Sequence, residues 1–192
     1  MIRWDEILRD YDERHCCDCE DQIAWSQSQP SLRAAIEVAA RATNRRERRY
    51  SHQWRIRRDS IARATAALLS AQKQLAHADS FDAIHDVIQR QLRDVPGIGE
   101  LYRYDTAFRI AAYLNLFPTR VYLHAGTRAG ARALGLAYEK GALEMHEVPV
   151  ELRHRRPHEV EDILCIFKAR FANASNAVVG CGPAKRTRRV IC

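Results

Sequence analysis

Apolar side chains recur along this chain at intervals of three and four residues, and those intervals mark out helices. Trp4, Ile7, Leu8 and Tyr11 predict an amphipathic helix over residues 3–13 that stops at the cysteines following it. The polar stretch at residues 26–32 contains Pro30 and reads as a loop. Pro30 or Ser31 then opens a helix with an alanine-rich stripe of Leu32, Ala35, Ile36, Ala39 and Ala40. Ile61, Ala64, Leu68, Leu69 and Leu75 continue a helix toward His77, and Asp79-Ser80 ends it and caps the next. The face of that next helix is Phe81, Ile84, Val87, Ile88 and Leu92, and it runs into Val95-Pro96-Gly97-Ile98-Gly99.

Beyond this turn the pattern becomes almost wholly apolar. Residues 104–114 predict a buried helix with Asp105 as its cap or at its N-terminal end, where the helix dipole favours negative charge. Pro118 and Thr119 start a turn carrying Val121, Tyr122 and Leu123, followed by a small-residue helix over residues 128–134 that Gly135 ends. A final helix starts at Pro157, with Glu159, Glu161 and Asp162 near its start and Ile163, Cys165, Ile166 and Phe167 as core candidates, Cys165 an inert thiol. Strand patterns are confined to Val178-Val179 and Val190-Ile191. The fold class expected is all-α: one helical domain over residues 1–175, with a helix-hairpin-helix at about 81–115, and a basic tail over 176–192 that is either a DNA arm or solubilising disorder.

Charge changes the picture. Across 192 residues, Lys+Arg 31 against Asp+Glu 24 leaves a net charge of +7, nearly all of the positive side being arginine. The planar guanidinium fork suits phosphate, so nucleic acid is the first partner to consider, with a merely solvated basic surface as the alternative. Eight arginines stand against one glutamate between Arg41 and Arg58, interleaved with Tyr50, His52 and Trp54. Such a segment either grips phosphates and stacks on a base, or is a solvated helix face whose Trp54 and Ile56 point into the core.

The Pro-Gly-Ile-Gly turn points the same way. Gly97 can take positive φ, Gly99 allows close backbone approach, and the free amides at the start of the following helix offer a seat for a phosphate. No apolar run approaches the ~18 residues of a membrane span, and the charged N-terminal segment lacks the apolar centre of a signal peptide. A cytoplasmic protein with reduced thiols is expected. Cys16 and Cys19 form a Cys-x-x-Cys, but Cys181 and Cys192 have ten residues between them, outside zinc spacing, so no metal is expected.

The order apolar helix, VPGIG, buried helix, proline-containing connection, then a helix ending RALGL resembles the helix-hairpin-helix DNA glycosylases of base excision repair. That family reads LPGxG, a helix, then V-D-T-H-V-x-R-V-x-x-R-L-G, in which the aspartate is catalytic. The resemblance covers residues 81–136, and its matching tail is His124 to Gly135. Aligned on Leu134-Gly135, the aspartate position holds His124, and the connection leading to it is about five residues longer than the family's. The carboxylate must then come from elsewhere, from Asp105 or Asp162. The lysine position of the bifunctional members, two residues after the last hairpin glycine, is Leu101, which implies a monofunctional enzyme. The stretches YDTAFRIAAYLNL and VYLHAGTRAGARALGL also look like a group of uncharacterised bacterial proteins. Among glycosylases the chain is similar to an antiphage type that removes α-glucosylated hydroxymethylcytosine from viral DNA.

Cleaving an N-glycosidic bond requires negative charge near an oxocarbenium-like sugar, a positioned water, and a pocket for a base taken out of the stack. Asp105 is the first candidate carboxylate, with a plain helix cap as the alternative. His124 can orient water, protonate the leaving base or bind phosphate, or can be a structural donor. Glu100, at the hairpin's end, and Asp162 complete the catalytic candidates. Tyr102, Tyr104, Tyr122 and Trp54 are candidate walls of a base pocket, or simply core. Pro96, Gly97, Ile98 and Gly99, with Arg55, Arg57, Arg58, Arg128 and Arg132, are the candidate DNA contacts. The partner implied is double-stranded DNA with a flipped modified base, met by a monomer. No cofactor is expected beyond a monovalent cation at the hairpin. A non-catalytic DNA-binding module of repair or defence and a nucleotide- or RNA-processing enzyme on the same scaffold are the alternatives.

Overall fold

The computed structural model describes residues 2–179, and the chain is all-α, with ten helices and one two-stranded ribbon among those residues. The first three helices are α1 (Trp4–Arg14), α2 (Cys16–Gln27) and α3 (Leu32–Arg41). They are followed by α4 (Arg58–Ser70), α5 (Gln72–Ala76), α6 (Phe81–Leu92) and α7 (Glu100–Leu114). Then come β1 (Val121–Tyr122), α8 (Ala125–Ala133), β2 (Ala142–Leu143), α9 (Pro157–Ile166) and α10 (Lys168–Val179). β1 and β2 pair antiparallel, Val121 opposite Leu143 and Tyr122 opposite Ala142. No described helix is long and apolar enough to cross a membrane.

Caps and stripes explain most of the helices. Ser31 and Ser80 sit in extended backbone and accept from the amides of Ala34 and Ala83, opening α3 and α6. All five residues of the predicted α6 stripe are buried, each contributing ~1.5–3 kcal/mol of apolar transfer. Gly97 has φ +79°, the conformation its lack of a Cβ permits, and the turn there brings α7 back against α6.

Several expectations change. Helix α7 starts at Glu100 with Gly99 as its N-cap, so Asp105 is not a cap but sits in the second turn. The first helix ends before the cysteines as expected, and Cys16, Cys17 and Cys19 then belong to a second helix, α2, which buries Cys19, Ile23 and Ser26. The predicted helix over 61–77 is broken at Ala71 into α4 and α5. The arginine-rich segment is not a helix face. Residues 42–57 form an ordered loop, closed by a Thr43–Arg49 bridge and a 3-10 turn at Ser51–Gln53, with Trp54 turned outward and 63% exposed. The final helix is two, α9 and α10, and α10 takes in Val178-Val179. The rest of the expected tail, with Cys181, Val190-Ile191 and Cys192, lies outside the described residues.

The apolar side chains gather into two clusters. One is formed by α2 to α7 together with Tyr122, and the other by α1, the ribbon, α8, α9 and α10. Gly130 makes the second possible: a Cβ there would lie 2.0 Å from the Leu164 carbonyl oxygen, so α8 and α9 pack backbone to backbone. α9 therefore stands close beside β1 and α8, with Glu161 and Asp162 at a cavity that Tyr104, Asp105 and Phe108 of α7 also line.

Candidate functional site

Where the two clusters meet, a cavity of about 580 Å³ opens between α2, the 42–57 loop, α7 and α9. Its mouth carries the exposed arginines Arg45, Arg46 and Arg48, and its walls include Trp25, Tyr104 and Phe108. Asp105, Glu161 and Asp162 face into it together. The loop that supplies the arginines is held from within. Asn44 Oδ1 accepts from the Arg46 and Arg48 amides at 3.0 and 3.2 Å, and Arg49 Nη1 donates to the Ile56 carbonyl at 2.7 Å. Trp25 Nε1 ties the loop to α2 by donating to the Thr43 carbonyl at 3.1 Å.

Asp105 is fixed by that loop. His52 Nε2 and Gln53 Nε2 donate to its Oδ2 at 2.8 and 2.5 Å. One turn further along α7, Arg109 Nη2 stands 3.7 Å from the same oxygen. Arg109 is 2% exposed, a charge that burial would penalise heavily without partners. It has them: Nη1 donates to Gln53 Oε1 at 3.2 Å, Nε to Gln22 Oε1 at 3.1 Å, and the guanidinium lies 4.2 Å over the Tyr50 ring. The Gln53 amide thus bridges arginine and aspartate. These donors all meet Oδ2, and Asp105 lines the cavity.

Across the cavity the chemistry is opposite. Asp162 borders the open space, while protein encloses the rest of its carboxyl. That burial, with the charges of Glu161 and Asp105, pushes its pKa well above the usual carboxylate range, against a bond from the Tyr11 hydroxyl to Oδ2 at 3.2 Å. The surroundings thus favour the protonated form of Asp162, while Asp105 is the carboxyl that hydrogen-bond donors meet. Glu161 is spoken for: the Thr127 hydroxyl donates to Oε1 at 2.9 Å, and His124 Nε2 hydrogen-bonds the same oxygen.

His124 is the N-cap of α8 and buried, with Nδ1 accepting from the Gly126 amide at 3.2 Å. Its ring proton accordingly sits on Nε2 and goes to Glu161. With Cys165, these two place ligand-type atoms within 4.8 Å of one another, close enough for a metal ion. The hydrogen bonds already occupy both nitrogens of His124, and a metal at Nε2 would have to displace that proton.

The other predicted residues scatter. Tyr104 lines the cavity, but Tyr102 is buried away from it with its hydroxyl on the Ala40 carbonyl, and Tyr122 packs against Phe81 and His85. Trp54 stands outside, with Arg55 at 5.2 Å over its ring. Glu100 pairs with Arg128 at 3.0 Å on the surface, and Arg128 also donates to the Leu123 carbonyl at 2.8 Å, while Arg132 lies over Tyr138. Ile98 is buried under the turn.

Pro96 and Gly97 form a second cleft with Arg57, Asp59, Ser60 and Arg63, next to exposed Arg58. A Cβ at Gly99 would meet nothing within 4 Å, so no close approach inside the chain requires that glycine. Sequence reasoning missed His158 at the cavity, and Arg109, Gln53 and Tyr11 as partners behind its acids. A buried arginine has no sequence signature, and the others become partners only through contacts across the fold.

No known protein family, no curated protein and no solved structure matches this chain.

Proposed function

We propose that the protein is a monofunctional DNA glycosylase that hydrolyses the N-glycosidic bond of a flipped, modified base in double-stranded DNA and leaves an abasic site. The observation that carries this reading is the placement of Asp105. It sits on the helix that follows the Pro-Gly-Ile-Gly turn, about 8 Å along its axis from Glu100, inside a cavity with an arginine mouth and facing Asp162. The cavity's volume of about 580 Å³ falls within the ~300–1,000 Å³ of small-molecule sites, so a base enlarged by a sugar, such as α-glucosylated hydroxymethylcytosine, suits it. Carboxylates at the wall, Asp18 and Asp21 among them, are acceptors for sugar hydroxyls.

In this reading the arginines of the mouth and the cleft at Gly97 hold phosphates on either side of the extruded nucleotide. Asp105, held in place by its donors and by Arg109, stabilises positive charge on the sugar and takes a proton from the attacking water. The carbon–nitrogen bond breaks, its electron pair leaves on the base, and the Asp162 proton neutralises the departing nitrogen. Nothing covalent forms with the protein, consistent with Leu101 where a lyase would carry lysine.

The test is incubation of the full chain with duplexes carrying cytosine, hydroxymethylcytosine or its α-glucosylated form, followed by hot alkali. Asp105→Asn is expected to lower the rate about 10²–10⁴-fold while DNA affinity stays within about threefold. Absence of alkali-labile sites on every duplex with the unmodified chain ends the reading.

A further inference from the structure

One group at the cavity has no use in the chemistry above. His158 is on the same face of α9 as Glu161 and Asp162, three and four residues earlier, and its ring forms part of the cavity wall. It is 3% exposed, and neither ring nitrogen has a hydrogen-bond partner. The ring packs against two phenylalanines that also touch each other, with centroids 5.0 Å from Phe108 and 5.9 Å from Phe117.

An apolar slot of this kind would be filled more favourably by a third phenylalanine. Leaving buried polar atoms unpaired costs about 1–3 kcal/mol each, and native proteins rarely tolerate it without a ligand or water to complete the bonds. Among the other buried polar side chains of the site, Gln53, His124 and Glu161 are engaged and Arg109 lacks a hydrogen bond only at Nη2, which stands 3.7 Å from Asp105, whereas His158 lacks one at both of its polar atoms. Burial also depresses the His158 pKa to about 4, so at neutral pH the ring is uncharged and offers one donor and one acceptor. As the ring stands, both nitrogens are closed off from open space; a half-turn about χ2, a soft two-fold torsion, exchanges them with ring carbons and is the motion that offers a nitrogen to the cavity.

We infer that His158 is the cavity's recognition residue for an uncharged nucleobase, its neutral imidazole hydrogen-bonding the base's polar edge while Phe108 holds the ring in place. A neutral donor–acceptor pair matches a base edge, which presents the same kinds of group, and discriminates against anionic ligands that a charged histidine would attract. The ligand class rests on the glycosylase reading, but the contact does not.

The experiment uses the full chain with cytosine and hydroxymethylcytosine as free-base probes, followed by calorimetry and by the ring-nitrogen NMR signals of ¹⁵N-histidine-labelled protein. The base is expected to shift the His158 nitrogens. His158→Phe should bind at least tenfold more weakly yet melt at or above the unmodified temperature. His158→Asn, which keeps a donor and an acceptor, should recover most of the affinity. The inference is overturned if neither base binds, if the His158 signals do not move, or if His158→Phe binds as tightly as the unmodified chain. Base binding without alkali-labile DNA would leave the recognition role standing and the hydrolytic reading refuted; hydrolysis indifferent to His158→Phe would do the reverse.

Discussion

Asp162 and His158, four residues apart on α9, are shifted in ways that both favour the uncharged form, and their consequences for stability run in opposite directions. Asp162 holds its proton above the pH at which an unfolded aspartate, near 3.9, releases it. Its contribution is therefore full below about pH 4 and is lost as pH rises through the raised value. His158 is depressed from 6.5 to about 4, so its contribution is full above pH 6.5 and is lost as pH falls toward 4. The shift corresponds to on the order of 3 kcal/mol. Unfolding free energies measured by denaturant from pH 4 to 8 should show Asp162→Asn more stable than the unmodified chain at pH 7, with the excess closing toward pH 4. His158→Phe should lose the decline below pH 6.5. Curves parallel to that of the unmodified chain would show that neither buried group governs the pH dependence. Asp105 is legible in the sequence as the only acid in its apolar run. Its environment is not, because Gln53, Arg109 and His52 reach it from positions whose side chains look solvated when read in order.

Glycines at the element scale separate packing from function. Substituting Gly130 by alanine gains up to about 1 kcal/mol of helix propensity, but the new methyl would meet the Leu164 backbone, which no rotamer relieves. The clash wins, and Gly130→Ala is expected to cost at least about 2 kcal/mol in urea unfolding. Gly99→Ala meets only open space and should change stability by less than about 1 kcal/mol, while weakening DNA binding if a phosphate seats against the turn. Equal DNA affinity for Gly99→Ala would remove the turn from the interface. Helices α3, α6 and α7 were readable because serine caps, a 3.6-residue stripe and a Pro-Gly turn agree with one another. Helix α2 was not: its start, Cys16-Cys17-Asp18-Cys19-Glu20-Asp21-Gln22, carries no apolar stripe, and the element exists through its packing on α7 and α1. Nor was the 42–57 loop, whose arginines are good helix formers in isolation but are turned aside by left-handed Ala42 and Glu47, φ 55° at both, and by the Asn44 side chain.

For the whole molecule, a net charge of +7 set around an acid-lined cavity predicts DNA affinity that falls steeply with salt. The slope of log affinity against log salt should be close to −0.9 per phosphate neutralised, and an Arg57→Ala, Arg63→Ala pair should make it shallower by about 2. Fluorescence anisotropy with a labelled duplex from 50 to 300 mM salt would read this, and an unchanged slope would take the Gly97 cleft out of the contact surface. The cavity itself lies between two apolar clusters that neighbouring stretches of sequence do not announce, which is why its position was invisible before the fold. One feature of that arrangement links docking to chemistry. The loop that places Arg45, Arg46 and Arg48 at the mouth is also the loop whose His52 and Gln53 grip Asp105, so in the proposed reading a strand held by those arginines bears on the support of the carboxylate. On the proposed function, mouth and carboxylate rest on one keystone, and loosening the 42–57 loop is expected to cost DNA affinity and turnover together.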